Sequence, residues 1–238
     1  MVSESPEIKR YDEFLFNTTS QLLKPVIEII NSCDELANNT NEISDNAKKQ
    51  LSNEIRKQGH RLLDLVNDIR DYAETQTGRT VIEKNSTDLG ILMKGVLDVA
   101  IWLTKDSPQL HIQQDFPVSL PHLSIHDIRI QQVLINLIHN AVKFTDSGIV
   151  KISITLNDNE IIFQVQDTGI GIAKDKFPLV FAPFQTALPD PTDSRIGLGL
   201  GLPISKYMVE AHNGNLWFES TEGQGSTFYF SIPIQQAE

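Results

Sequence analysis

A single cysteine, Cys33, leaves the chain with no internal disulfide and no Cys-based zinc site. Long apolar runs are missing too. The best candidate, Leu89 to Leu103, is broken by Lys94 and Asp98 and falls short of the roughly 18 residues a membrane span needs, so no membrane segment is expected in this chain. The first 30 residues carry acids throughout and lack the basic-then-apolar order of a secretory leader. The expected setting is reducing and cytoplasmic. Basic residues are scarce: 20 Lys and Arg against 31 Asp and Glu give a net charge of −11, which argues against nucleic acid or an anionic membrane as partner. Helix breakers are nearly absent from residues 10–76, which hold one Pro and one Gly of the 11 and 13 in the chain.

That last scarcity divides the 238 residues. Up to about Gly78 the pattern is helical, and beyond it helical and strand periods alternate, so two domains are expected, 1–79 and 80–238. In the first, Leu15, Thr19, Leu22, Val26, Ile29, Cys33 and Leu36 follow a heptad seam, which predicts a small buried role for Cys33. Asn38-Asn39-Thr40-Asn41 breaks it, and Leu51, Ile55, Leu62, Val66, Ile69 and Ala73 form a second seam. Such a helical hairpin buries too little apolar surface alone, so a homodimer paired as a four-helix bundle is expected. Pro25 is expected to kink the first helix. In the second domain, Asp88–Thr104, 125–143 and 200–211 have helical spacing, while 149–156, 160–166, 215–219 and 226–232 alternate as strands. Helices on one side of a mostly antiparallel sheet make an α/β sandwich.

Four clusters in the second domain carry the chemistry. Asn136, Asn140 and Lys143 share one face of an otherwise apolar helix. An amide oxygen suits Mg²⁺ and an ammonium suits phosphate, although a solvated face would look the same. Asp167-Thr-Gly169-Ile-Gly171 follows a strand directly. Its glycines allow a ligand to approach the backbone, and its carboxylate accepts from an exocyclic amine, which selects adenine over guanine. Gly197-Leu-Gly199-Leu-Gly201 opens a helix, where free N–H groups can hold phosphates. It matches neither the dinucleotide motif nor a P-loop, since the chain has no Gly-Lys pair. The fourth cluster, Gly223-Gln-Gly225-Ser-Thr227, reads by itself as a hairpin loop.

In this order the clusters resemble the N, G1, G2 and G3 boxes of the ATP-binding domain of sensor histidine kinases, a fold shared with gyrase-type topoisomerases and heat-shock chaperones. Phe177-Pro-Leu-Val-Phe181-Ala-Pro-Phe184 resembles the F box. The resemblance implies an α/β sandwich that binds ATP under a lid, roughly 184–199. It makes Asn140 the Mg²⁺ ligand, Lys143 a phosphate contact with Arg195 in the lid, and Asp167 the acceptor of the adenine amine. Gly169 and Gly171 would pass close to adenine, Gly197, Gly199 and Gly201 would form the phosphate-facing edge of the lid, and Thr227 would support the adenine pocket. Leu198 departs from the small hydroxyl residue common in the family. Asn136 stands where hydrolases of the wider fold place a glutamate, so efficient ATP hydrolysis is not expected.

The hairpin resembles the dimerisation and phosphoacceptor domain of the same kinases, and the decisive absence lies there. Phe14-Leu15-Phe16-Asn17-Thr18-Thr19-Ser20-Gln21-Leu22-Leu23-Lys24-Pro25 aligns without gaps with the H box, putting Ser20 at the phosphoacceptor histidine. Gln21 replaces the adjacent acid, and Lys24 the residue that orients water. A neutral serine without a base is a poor nucleophile. The expectation is a histidine-kinase-like module of a two-component pathway that binds Mg-ATP, does not phosphorylate itself on histidine, and works with an intact histidine kinase or a response regulator. The alternative is an active kinase that transfers phosphate to a partner or to a non-histidine residue such as Ser20. The chain begins directly at the hairpin, leaving room for a sensor or membrane segment upstream.

Overall fold

The computed structural model describes residues 6–38, 44–77, 82–105, 107–186 and 197–234, with the backbone alone for 6–17. The chain divides into two compact units, Met1–Gln76 and Thr77–Glu238. Among the described residues no helix is long and apolar enough to cross a membrane.

The first unit consists of α1 (Pro6–Asn38) and α2 (Asp45–Thr77). Helix α1 runs through Pro25, which is itself buried. The face it hides carries Thr18, Pro25 and Ser32, a seven-residue repeat set one position ahead of the expected seam of Thr19, Val26 and Cys33. Cys33 is therefore exposed, against the buried role expected for it, because one residue is about 100° around a helix. On α2 the buried residues are Gln58, Leu65 and Asp71. Large apolar side chains stay open to solvent in the single chain: Leu23, Ile27 and Ile30 on α1, and Leu63 and Val66 on α2, are each half exposed or more. This unit hides polar side chains and shows apolar ones.

The second unit is a two-layer α/β structure. Its main sheet has strand order β2 (Leu110–Asp115), β4 (Gly148–Leu156), β5 (Glu160–Asp167), β7 (Gly225–Pro233) and β6 (Asn215–Thr221), with β2 parallel to β4 and every other pair antiparallel. Helices α3 (Leu89–Thr104), α4 (Asp127–Lys143) and α5 (Gly201–Ala211) pack on one face. Helix α3 starts cleanly because the Asp88 carboxylate accepts from the Gly90 and Ile91 N–H groups at 2.7 and 3.1 Å. Helix α4 turns Ile130, Val133, Leu134, Leu137, Ile138 and Ala141 inward, the 3.6-residue period of a helix lying on a sheet.

Strand alternation builds the core opposite. Val150, Ile152 and Ile154 face Asp167, Val165 and Phe163 across β4–β5, and Phe163 and Val165 face Phe230 and Phe228 across β5–β7. Phe163 and Phe230 are fully buried and stacked, 4.5 Å between centroids. On the other face Trp217 stacks on Tyr229 at 5.3 Å.

Three strands were not legible in the sequence. β1 (Asn85–Asp88) and β3 (His122–Ile125) are four residues each and pair only with each other, and β2 is largely polar. Ile125, expected to open a helix, instead ends β3, and α4 begins two residues later. Phe163→Ala is expected to cost about 3–5 kcal/mol, read from denaturant unfolding of the chain; a loss near zero would contradict the stacked core.

Candidate nucleotide site

Alternation on β5 places Ile161, Phe163 and Val165 on the helix-covered face, and the same period delivers Asp167 to that face at the strand end. The carboxylate is 7% exposed. Its Oδ1 accepts from the Gly169 N–H at 2.8 Å and the Ser226 N–H at 3.2 Å. Among the described residues no donor reaches Oδ2. Burial raises the Asp167 pKa above its ordinary 3.8, and the two backbone bonds oppose that shift.

The loop after Asp167 is braced on three sides. Thr168 Oγ1 accepts from the Ile149 N–H at 3.0 Å, the Ile170 N–H donates to the Phe144 carbonyl at 3.1 Å, and the Ile172 N–H donates to Ser220 Oγ at 2.8 Å. Ser220 in turn donates to the Gly225 carbonyl at 3.0 Å and lies 2.9 Å from Ser226 Oγ. A Cβ on Gly169 would collide with the Phe144 carbonyl, and one on Gly171 with that of Thr221. The immediate reason for both glycines is thus close packing of this chain against itself.

Phe144 directly follows Lys143, so the loop meets the C-terminal end of α4, the helix with the polar stripe. Asn136 is turned toward α5: its Nδ2 donates to Ser205 Oγ at 2.9 Å, and its side chain lies where a Cβ on Gly201 would be. Asn140 is half-buried one turn on. Near the helix end the Lys143 ammonium lies 5.2 Å from the Phe144 ring centroid and 3.9 Å from the Cβ position of Gly197. Lys143 therefore stands between Gly197 and Phe144, the residue that the Asp167 loop touches.

The approach to α5 is tied at its base. The Phe184 N–H donates to the Gly199 carbonyl at 3.1 Å, and Gly199 has φ +68°, a conformation that side chains other than glycine's seldom adopt. Arg195 and most of the expected lid lie outside the described residues. Leu198 is buried. The F-box rings Phe177 and Phe181 pack edge-on against Phe218, at 4.9 and 5.7 Å.

Thr227 lies on the face of the sheet opposite Asp167. It pairs with Gln166 and Glu219 and hydrogen-bonds Tyr229 on the opposite face of the sheet. Alternation instead points its neighbour Ser226 toward Asp167, and Ser226 is buried there. Ser220 and Ser205 carry no spacing signal in the sequence, and Ser226 lies inside the fourth cluster with nothing in the cluster itself to single it out. Only the offset of two between Ser226 and the inward Phe228 marks the face.

Three comparisons bear on this arrangement. Residues 125–236 match the family model described as "Histidine kinase-, DNA gyrase B-, and HSP90-like ATPase". The "Non-motile and phage-resistance protein" of Caulobacter vibrioides is 31% identical over 97% of this chain and 28% of its own length. The circadian input-output histidine kinase CikA of Thermosynechococcus vestitus is 38% identical over 75% of this chain and 25% of its own. The chain thus spans little more than a quarter of the length of these relatives. Full-length ShkA, solved in complex with AMPPNP, superposes with a TM-score of 0.68 at 24% identity, covering 98% of this chain and 47% of ShkA.

A raised carboxylate pKa has a defined sign. Because folded Asp167 holds its proton more tightly than the unfolded chain, its contribution is favourable in acid and is lost as pH rises through the folded value. Asp167→Asn keeps an Oδ1 acceptor and removes the buried charge. The variant is expected to melt above wild type at neutral pH, with the gap narrowing toward the ordinary value of 3.8; calorimetric melting across pH checks it.

Proposed function

Residues 125–236 belong to the family of histidine kinase-, DNA gyrase B- and HSP90-like ATPases, the chain carries a sensor-histidine-kinase-type catalytic core, and from that premise we propose that it binds Mg-ATP but does not phosphorylate itself on histidine. The observation that carries the nucleotide reading is Asp167. Its buried carboxylate spends one oxygen on two backbone N–H groups, and among the described residues no donor reaches the other, which suits an adenine amine and repels the carbonyl of guanine.

The remaining residues fit the same ligand. The Lys143 ammonium beside the Gly197 backbone offers a charge and amide donors for phosphates. The Asn140 amide oxygen supplies one hard ligand for Mg²⁺, an ion that keeps waters and phosphate oxygens for its other positions. Mg²⁺, when bound, neutralises phosphate charge. The chain's part is to hold the adenine edge at Asp167 and aim the phosphates toward Lys143. Ser226 is assigned the supporting role at the adenine edge in place of Thr227. Asn136 is committed to Ser205 and Gly201 and, as an amide, offers no base for hydrolysis.

The loss of phosphotransfer is argued from the first unit. Ser20 stands at the phosphoacceptor position beside Gln21, and neither side chain supplies a base. The exposed Leu23, Ile27, Ile30, Leu63 and Val66 support pairing with a second copy. A cytoplasmic signalling role alongside an intact histidine kinase or a response regulator fits the two units together. One observation favours the alternative of transfer to a non-histidine residue: Ser20 is exposed on α1.

Titration calorimetry with Mg²⁺ present is expected to show ATP bound in preference to GTP, and Asp167→Ala is expected to lose at least about tenfold in affinity. Equal binding by both forms would overturn the nucleotide reading. Incubation with labelled ATP is expected to leave no acid-labile, base-stable phosphate on the chain. Acid-stable label that disappears in Ser20→Ala would instead establish the alternative.

A further inference from the structure

Helix α4 is capped from outside. His126 occupies its N-cap position and provides no side-chain acceptor. The His126 backbone N–H donates instead to Nε2 of His212 at 3.0 Å. His212 is the C-cap residue of α5, 2% exposed, with Nδ1 2.7 Å from the Met208 carbonyl. A carbonyl only accepts and an N–H only donates, so both bonds hold together in one species, the neutral imidazole with its proton on Nδ1.

The contacts between the two helices run in one antiparallel register. His126 meets His212, Asn136 meets Ser205 and Gly201, and Lys143 faces Gly197. Each step forward along α4 is matched by a step back along α5 and its approach. Helices are stiff, so a tie at one end fixes the axial position of the other. A slip of one residue shifts the approach to α5 by about 1.5 Å, which carries Gly197 off Lys143.

We propose that His212 is a positioning residue for the nucleotide site: capping α4 from the end of α5 sets the register in which Lys143 faces Gly197. This rests on the Mg-ATP reading of that site. Lys84 and His126 are the titratable neighbours that act on His212, and both add to the effect of burial, which lowers its pKa; the Met208 carbonyl opposes them. Asp127 is occupied by the Ile128 N–H at 2.8 Å and lies 3.9 Å from His126 Nδ1.

Calorimetry with Mg-ATP at neutral pH on wild type, His212→Gln and His212→Asn tests it. Gln reaches the position of Nε2 and can accept from His126, whereas Asn reaches only that of Nδ1 and loses the cross-helix bond. Asn is expected to weaken affinity about tenfold and Gln to stay within about threefold of wild type. Wild-type affinity in the Asn variant, even with a lowered melting temperature, would reduce His212 to a fold-stabilising role and overturn the proposal. Absence of binding by wild type would overturn the nucleotide reading instead. A second measurement needs neither nucleotide nor variant. In an NMR pH titration of the wild-type chain, the His212 ring and the Gly197 and Gly199 amides are expected to move with one midpoint below the ordinary imidazole value of 6.5. Unrelated midpoints would overturn the register argument.

Discussion

A strand whose inward row ends in a carboxylate governs the second unit. Ile161, Phe163 and Val165 commit one face of β5 to the core, and the two-residue period leaves Asp167 no other face to occupy. A carboxylate there carries a desolvation cost, which the Gly169 and Ser226 N–H groups only partly offset. The loop must therefore curl back so that Gly169 presents its N–H. The turn between β6 and β7 must likewise bring Ser226 into line. The glycines, the Ser220 hydroxyl and the close approach to Phe144 follow from that requirement. The buried charge lies where, among the described residues, a ligand would complete the unpaired side of the carboxylate.

The second constraint is the antiparallel seating of α4 on α5. Polar contacts inside an otherwise apolar interface define a register more sharply than packing alone, because an unmatched amide or imidazole is costly to leave buried. Asn136 and His212 act in this way at two depths of the same interface. Helix α4 then holds its last turn beside the Asp167 loop, and the approach to α5 holds its glycines beside that turn.

How much of this was legible depends on the kind of signal each element gives. The long periodic segments gave away α3, α5, β4, β5 and β7 nearly to the residue, since burial on one face imposes the period directly. Asn140, Lys143 and Asp167, proposed here to hold the nucleotide, stood out because polar groups interrupt apolar patterns there. A cluster read as a motif carries no information about which of Ser226 and Thr227 faces inward; the β5–β7 register supplies it, turning Ser226 toward Asp167 and Thr227 away. The seam on α1 was offset by one residue for a related reason. Apolar spacing marks apolar faces and does not say which of them the chain itself covers. The contact closest to hand used Thr18, Pro25 and Ser32. His212 could not have been read as a cap for α4 at all, since its partner lies 86 positions away.

The aromatic residues of the sheet have an optical consequence. Trp217 stacks on Tyr229 on the face away from the helices, and Trp102 stands 63% exposed on α3 beside Lys105. Trp217 therefore lies on the opposite face of the sheet from Asp167. The Trp217 part of the intrinsic fluorescence therefore reports whether the β6–β7 ladder is intact, from the face that Asp167 does not share.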